Sequence, residues 1–399
     1  MLRHTDAVTD LANTESYARL LTATRDLETP FAVIDEQALW ANADDLVRRA
    51  NGVPIRVASK SVRVRSIITG TLARAGFAGV MSYSLAESNW LVDNGVDDIL
   101  LAYPTTSRSA LDYLVADERR LAQITVMVDS TESLDHIDRL LGVGHPAIRV
   151  CIDVDASLKI GPAHLGVRRS PVHSAEQAGA LAAAIVARPG FDLVGVMFYD
   201  AQIAGLPDSS AAVRLVKKRS AADLMVRRSQ VVAAVSDHAT LQIVNAGGTG
   251  SLEVTGADPA ITELTAGSGL FSPTLFDGYD AFESRPAAFF VLSVARKPAP
   301  DIATLFGGGY IASGPTNKNR QPAPVWPAGL KPIGTEGAGE VQSPVKGDAA
   351  RALSIGDRVV MRHAKAGEMC ERFDEVVIVT AGGGATRIPT YRGEGKNFG

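Results

Sequence analysis

Cysteine is almost missing: Cys151 and Cys370 are the only two in 399 residues. That excludes a disulfide framework and fits a reducing compartment. Cys151 sits in an apolar strand pattern, where a small buried side chain is expected. Charge of one sign is also lacking, with a net of −4. Neither nucleic acid nor an anionic membrane surface is therefore expected as a partner. No apolar run approaches a membrane span. The opening Met1-Leu2-Arg3-His4-Thr5-Asp6 has no apolar core like that of a signal peptide, so a cytoplasmic location is expected. A glycine-rich turn after the first strand, which marks an open dinucleotide-binding sheet, is absent too.

The length suggests two domains, one of them large. Residues 1–27 are a mixed polar lead-in. Phe31–Asp35 is a short strand, followed by an amphipathic helix over Ala38–Ala50. Strand-like apolar runs then recur at Arg56–Lys60, Gly79–Tyr83, Ile99–Tyr103, Ile124–Val128, Ile148–Val154, Leu193–Tyr199, Leu241–Ala246 and Thr262–Ala266. Helical patterns separate most of them, among them Leu85–Asn94, Ser107–Leu121, Ser133–Leu141, Ala175–Ala187 and Ala211–Ser236. Near-continuous apolar strands mean a sheet covered on both faces, hence a parallel one. Eight such units predict a (β/α)8 barrel over residues 28–283. From about Phe289 short strands follow without long helices between them. Gly307-Gly308-Gly309 and the proline-rich stretch from Pro322 to Pro332 punctuate that region. Residues 284–399 therefore read as a smaller, mostly β domain.

One lysine stands out. Ile55-Arg56-Val57-Ala58-Ser59-Lys60-Ser61 is a strand ending in small residues, then Lys60, then a helical pattern with Val64, Ile67, Ile68 and Leu72 on one face. A lysine at the C-terminal end of a barrel strand points into the mouth where ligands bind. An apolar setting there would favour Schiff-base chemistry; the plain alternative is a solvated strand-end lysine. The last two strands of the series end in Asn245-Ala246-Gly247-Gly248-Thr249-Gly250-Ser251 and Ala266-Gly267-Ser268-Gly269. Either alone is an ordinary tight turn. As a pair after strands seven and eight they match the place where barrels bind a phosphate. If Lys60 ends strand one, it is next door. A phosphate-bearing cofactor and a Schiff-base lysine then share one mouth, and pyridoxal 5′-phosphate fits both.

With these pieces in order, the chain resembles the fold-type III pyridoxal-phosphate enzymes, which carry an alanine-racemase-type barrel. Within them it is most similar to the D-threonine aldolase and D-serine dehydratase branch, including amino acid deaminase/aldolase proteins. The likeness covers roughly residues 28–399. It rests on Thr29-Pro30-Phe31 through Asp35, on Ala58-Ser59-Lys60, and on the two glycine turns. It implies that Lys60 holds the cofactor covalently. Thr249, Gly250 and Gly269 would cup the phosphate, with Gly248, Gly267 and Ser268 beside them. Tyr199 stands where the family has a tyrosine near the cofactor ring, and Gln202 is close behind. In the strand-five loop the family carries an arginine. Here His164-Leu165-Gly166-Val167 takes that place, so His164 would do its work, with Arg168 and Arg169 as alternatives for a carboxylate. Glu340 matches an acidic segment facing the cofactor.

The branch also binds a divalent metal, Mn²⁺ or Zn²⁺, through a histidine and a ligand two residues on. His363 aligns with the first, but Lys365 replaces the second, and a protonated lysine offers no lone pair. Lys365 would instead present a fixed charge to a substrate carboxylate. The resemblance implies a homodimer and a small amino acid as substrate. It implies a lyase acting on a β-hydroxy D-amino acid, by retro-aldol cleavage or by dehydration and deamination. An amino-acid racemase is the alternative, for which Tyr310 and Tyr391 are the only small-domain tyrosines. A non-catalytic PLP carrier or regulator, and a sugar-phosphate barrel using Lys60 as an aldolase lysine, are alternatives of other classes.

Overall fold

A computed structural model describes residues 4–399 apart from residue 316, with side chains from residue 14 onward. The strands, in chain order, begin with β1 (Phe31–Asp35), β2 (Ile55–Ala58), β3 (Phe77–Ser82), β4 (Ile99–Leu101), β5 (Ile124–Val128) and β6 (Ile148–Asp153). A small hairpin follows, β7 (Leu158–Ile160) and β8 (Ala163–Leu165), then β9 (Phe191–Phe198), β10 (Ile243–Ala246) and β11 (Glu263–Ala266). The remaining strands are β12 (Ala288–Ala299), β13 (Ile302–Phe306), β14 (Ala323–Trp326), β15 (Lys331–Pro332), β16 (Gln342–Lys346), β17 (Arg358–Arg362), β18 (Glu375–Val379) and β19 (Ala385–Pro389).

The eight expected parallel runs close into a barrel in the order β10-β11-β2-β3-β4-β5-β6-β9. Their apolar side chains are buried almost throughout, so both faces are covered, as their composition required. Leu100, Met127, Cys151, Val194, Met197 and Ile243 form one cluster of the core. The helices between strands start from side-chain caps: Ser84, Ser107, Ser130, Ser174 and Ser210 each accept a hydrogen bond from an N–H of the first turn. Each such cap contributes about 1 kcal/mol. The expected helix over Ser107–Leu121 is two helices, Arg108–Val115 and Glu118–Gln123, because Asp117 caps a new start.

The second sheet has nine strands, running β15-β16-β13-β12-β1-β18-β19, with β17 paired to β12 and β14 to β17. It contains β1. Phe31–Asp35 pairs antiparallel with β12 and parallel with β18, so this strand, expected within the barrel span, builds the other sheet. Asp35 then caps the helix Glu36–Arg49, accepting from the N–H groups of Gln37 and Ala38 at 3.0 and 3.2 Å. That helix packs on the barrel, with the Asn42 amide donating to the carbonyls of Leu270 and Arg285. Arg362 at the end of β17 joins the two units. It donates to the carbonyls of Ser272 and Pro273 and pairs with Asp277 at 2.8 Å. Among the described residues no helix is long and apolar enough to cross a membrane.

Candidate active site

Lys60 follows β2 in a short 3-10 turn, Ser59–Ser61, at the C-terminal mouth of the barrel. The turn is fixed from several sides. The Ser59 hydroxyl donates to the Met81 carbonyl on β3 at 3.1 Å. Arg63 holds a left-handed conformation, φ 55°, which costs a non-glycine residue about 1–2 kcal/mol. Its guanidinium offsets this by donating to the Lys60 carbonyl at 3.2 Å and pairing with Glu371 at 2.5 Å. Gly367, at φ 96°, lies so close to the Lys60 carbonyl that any Cβ there would collide with it. The loop from His363 to Glu371 therefore docks on the lysine turn of its own chain.

A buried acid supports the turn from behind. Glu87 accepts from the Tyr83 N–H at 2.7 Å and from the Tyr391 hydroxyl at 2.9 Å. Burial pushes its carboxyl up to about 7, against the pull of Ser59, Tyr83, Tyr391 and Arg63. A folded-state value above the unfolded one gives stability that is full below about pH 4.5 and lost as pH rises through about 7. Glu87→Gln is therefore expected to melt above the wild type near pH 8, by on the order of 3 kcal/mol, with the gain shrinking toward about pH 5. Thermal melts across that range check it; a pH-independent difference contradicts it.

Lys60 Nζ donates to the Tyr103 hydroxyl at 3.0 Å. Tyr103 lies just past β4, and the Arg169 guanidinium lies 5.5 Å from its ring centre and 5.2 Å from that of Tyr199. Burial pushes the Tyr103 phenol up, but the Lys60 charge and hydrogen bond, with Arg169 and Lys365, outweigh it and hold it below the usual value. Tyr199, past the end of β9, is raised, chiefly by burial. Asp153, at the end of β6, is pushed up to about 7 by burial and by Asp129.

The glycine turns follow β10 and β11, the two strands that lead round the barrel to β2. The hydroxyls of Thr249 and Ser268 meet at 3.2 Å, and the Gly269 N–H donates to Thr249 Oγ1 at 3.1 Å. Close packing requires these glycines: a Cβ on Gly248 would sit 2.7 Å from the Ala204 Cβ, and one on Gly250 would strike the Ala204 carbonyl and the Tyr279 ring. Gly267 packs equally closely on Ala58 of β2. A buried charge network lies beneath. The Ser251 hydroxyl accepts from the Gly248 N–H and donates to Asp200, which also takes the Thr255 hydroxyl at 2.6 Å and pairs with Arg228 at 3.1 Å. Arg228 pairs on with Asp258 at 3.3 Å.

The structure thus gathers Lys60, Tyr199, Gly248, Thr249, Gly250, Gly267, Ser268 and Gly269 around one mouth. His164 is on the β7–β8 hairpin, with Nε2 facing its own Val167 carbonyl at 3.1 Å. The cation between the two tyrosine rings is Arg169. Glu340 is exposed just before β16, its backbone packed on Gly309. Gln202 is buried, its amide donating to the Ala156 carbonyl at 2.7 Å. Tyr103 was not singled out from sequence, although it ends its strand run just as Lys60 does.

His363 and Lys365 line a cleft with Tyr310, Glu368 and Arg372. His363 Nδ1 faces the Ala288 carbonyl at 3.1 Å, and its buried Nε2 has no partner. Burial, then Arg362, pushes it down to about 3, so the imidazole is neutral. That nitrogen is one suitable metal donor. The residue two positions on is a cation, however, and Lys365 Nζ donates to Ser313 Oγ at 3.0 Å. Cys370 is buried with its thiol pushed up to about 12 by burial. Among the described residues no three His, Cys, Asp or Glu side chains converge to hold a metal. The donor set does not fit a divalent ion.

Among solved structures, D-threonine aldolase from Filomicrobium marinum superposes with a TM-score of 0.74 at 20% identity, covering 91% of this chain and 95% of that one. D-threo-3-hydroxyaspartate dehydratase from Delftia sp. HT23 gives 0.71 at 19% identity, over 91% and 97%. Alanine racemase from Clostridium difficile 630 gives 0.59 at 16%, over 91% and 99%. At these identities the likeness establishes the fold. No curated protein matches the sequence significantly. The model of the alanine racemase N-terminal domain matches residues 34–271, more than half of the chain. The chain belongs to the alanine racemase N-terminal domain family.

Proposed function

We propose that this protein is a pyridoxal-phosphate-dependent lyase acting on a β-hydroxy D-amino acid. The observation that carries the reading is the arrangement of Lys60 beside the Thr249 and Ser268 turns, on three neighbouring barrel strands. An amine and a glycine-lined cradle with two hydroxyls fit an aldehyde that also bears a phosphate. When bound, that cofactor supplies an electron sink for a bond broken at Cα.

The protein's part is to bind, orient and move protons. Thr249 and Ser268 hold the phosphate, and Lys60 fixes the aldehyde carbon. Arg169, between Tyr103 and Tyr199, meets an anionic oxygen of cofactor or substrate. Lys365, across the cleft, meets a carboxylate. A lyase is favoured over a racemase because the aldolase and dehydratase structures superpose more closely than the racemase does. In addition, Tyr391 is buried and donates to Glu87, so within its own chain it is not a free second base. No step is assigned to a metal. The working unit in this proposal is a homodimer.

The test is the absorption spectrum of the purified protein, followed by D-threonine and D-serine with and without Mn²⁺ or Zn²⁺. A band near roughly 420 nm is expected. Glycine with acetaldehyde then identifies an aldolase, and a 2-oxo acid with ammonia a dehydratase. No band after adding pyridoxal 5′-phosphate overturns the reading.

A further inference from the structure

Tyr103 is the phenol that Lys60 reaches, and cations surround it. Lys60, on the turn after β2, donates to its hydroxyl at 3.0 Å. Arg169, beyond the β7–β8 hairpin, lies 5.5 Å from its ring centre. Lys365, on the small-domain loop, adds a third positive charge that acts on the phenol. Tyr199 stands on the far side of Arg169. Among the described residues no carboxylate forms an ion pair with Lys60 or Arg169, and the phenol oxygen is the acceptor that Lys60 Nζ reaches. The surroundings of Tyr83, Tyr199, Tyr279, Tyr310 and Tyr391 raise those phenols; those of Tyr103 lower it.

Resting on the lyase reading, we propose that Tyr103 is the base of this site, taking the proton of the substrate β-hydroxyl and returning it through Lys60. Lys60 Nζ marks where the aldehyde carbon would be held, so a phenol oxygen 3.0 Å from it stands beside the place where a substrate amine would be joined. The substrate O–H bond breaks and an O–H bond forms on Tyr103. The pair left on the substrate oxygen would become the carbonyl π bond as Cα–Cβ breaks, and the bound cofactor would supply the sink for the pair left at Cα. Tyr103 then passes the proton to the Lys60 amine, and Lys60 delivers it to Cα. The phenolate is restored and no further reactant is consumed. A base of this kind contributes roughly 10²–10⁴-fold.

The experiment has two arms on the full-length protein. In the first, protein freed of bound aldehyde is titrated with alkali while the tyrosinate band is followed. One tyrosine is expected to ionise at lower pH than the rest. That step disappears in Tyr103→Phe and moves up in Lys60→Met, which removes a cation and keeps the side-chain length. In the second, Tyr103→Phe keeps the visible cofactor band and its KM for D-threonine, but kcat falls roughly 10²–10⁴-fold and loses its acid limb. A wild type without a low-pH tyrosinate step, a step that persists in Tyr103→Phe, or full kcat in Tyr103→Phe overturns the proposal. No visible band after adding pyridoxal 5′-phosphate overturns the lyase reading instead, whether or not the Tyr103 ionisation step is present.

Discussion

Lys60→Ala is expected to lose the visible absorbance and at least about a thousandfold of turnover, the scale on which a covalent residue is missed. Lys365, across the cleft, is a second lysine whose charge acts on Tyr103, and its Nζ is engaged with Ser313 while Glu368 accepts from the Ser313 N–H. The protein should stay folded, because Lys60 is exposed at the mouth and among the described residues its side-chain hydrogen bond is to Tyr103 alone. Absorption spectra and single-turnover rates of both proteins check this. A band that survives in Lys60→Ala would mean that a different lysine carries the aldehyde.

The second large effect concerns stability. Arg228 is buried between Asp200 and Asp258, both almost without exposure. Removing one partner of such a network leaves uncompensated charge in a low-dielectric interior, at a cost of about 3–5 kcal/mol. Arg228→Ala should unfold at correspondingly lower denaturant and bind phosphate less tightly, because Asp200 orients Ser251 and Ser251 holds the Gly248 N–H. Neutralising all three members, as in Asp200→Asn and Asp258→Asn with Arg228→Met, should cost less than Arg228→Ala alone. Equilibrium unfolding of the three proteins tests it; a loss under about 1 kcal/mol in Arg228→Ala contradicts the account.

The barrel was readable because its signal is local. Each of the eight runs is apolar enough to demand cover on both faces, and most are followed by a capped helix. Lys60 and the two glycine turns were legible for the same reason: each ends a strand, and strand ends of a parallel barrel meet at one mouth. Pairing partners were less legible. Phe31–Asp35 has the same texture as a barrel strand, and only contacts with β12 and β18 decide that it belongs to the other sheet. Tyr103 was hidden differently, and Arg169 was legible only as one of two alternatives for a carboxylate. An aromatic at a strand end looks the same whether it packs or reacts, and Arg169 reaches the tyrosines only because the β7–β8 hairpin returns the chain over the mouth. The order of residues around His164 suggests that loop, and the geometry puts Arg169 of the same loop near both rings.

The placement of β1 bears on how the protein is made. Val33 pairs with Phe289 and Val377. During synthesis at roughly 5–20 residues per second, β1 emerges some 17–70 s before β18 is available to it. Until β12 emerges a wholly buried strand, Phe-Ala-Val-Ile-Asp, waits unpaired on the nascent chain while the barrel segments are still arriving, and its β18 edge stays open after that. Such a strand is a template for other chains. The lysine turn also waits, because Gly367, Glu371 and Tyr391 come after the barrel in the chain. A nascent chain lacking those residues would therefore carry a closed barrel whose mouth has not yet been set, so the mouth is completed by the small domain and not by the barrel alone.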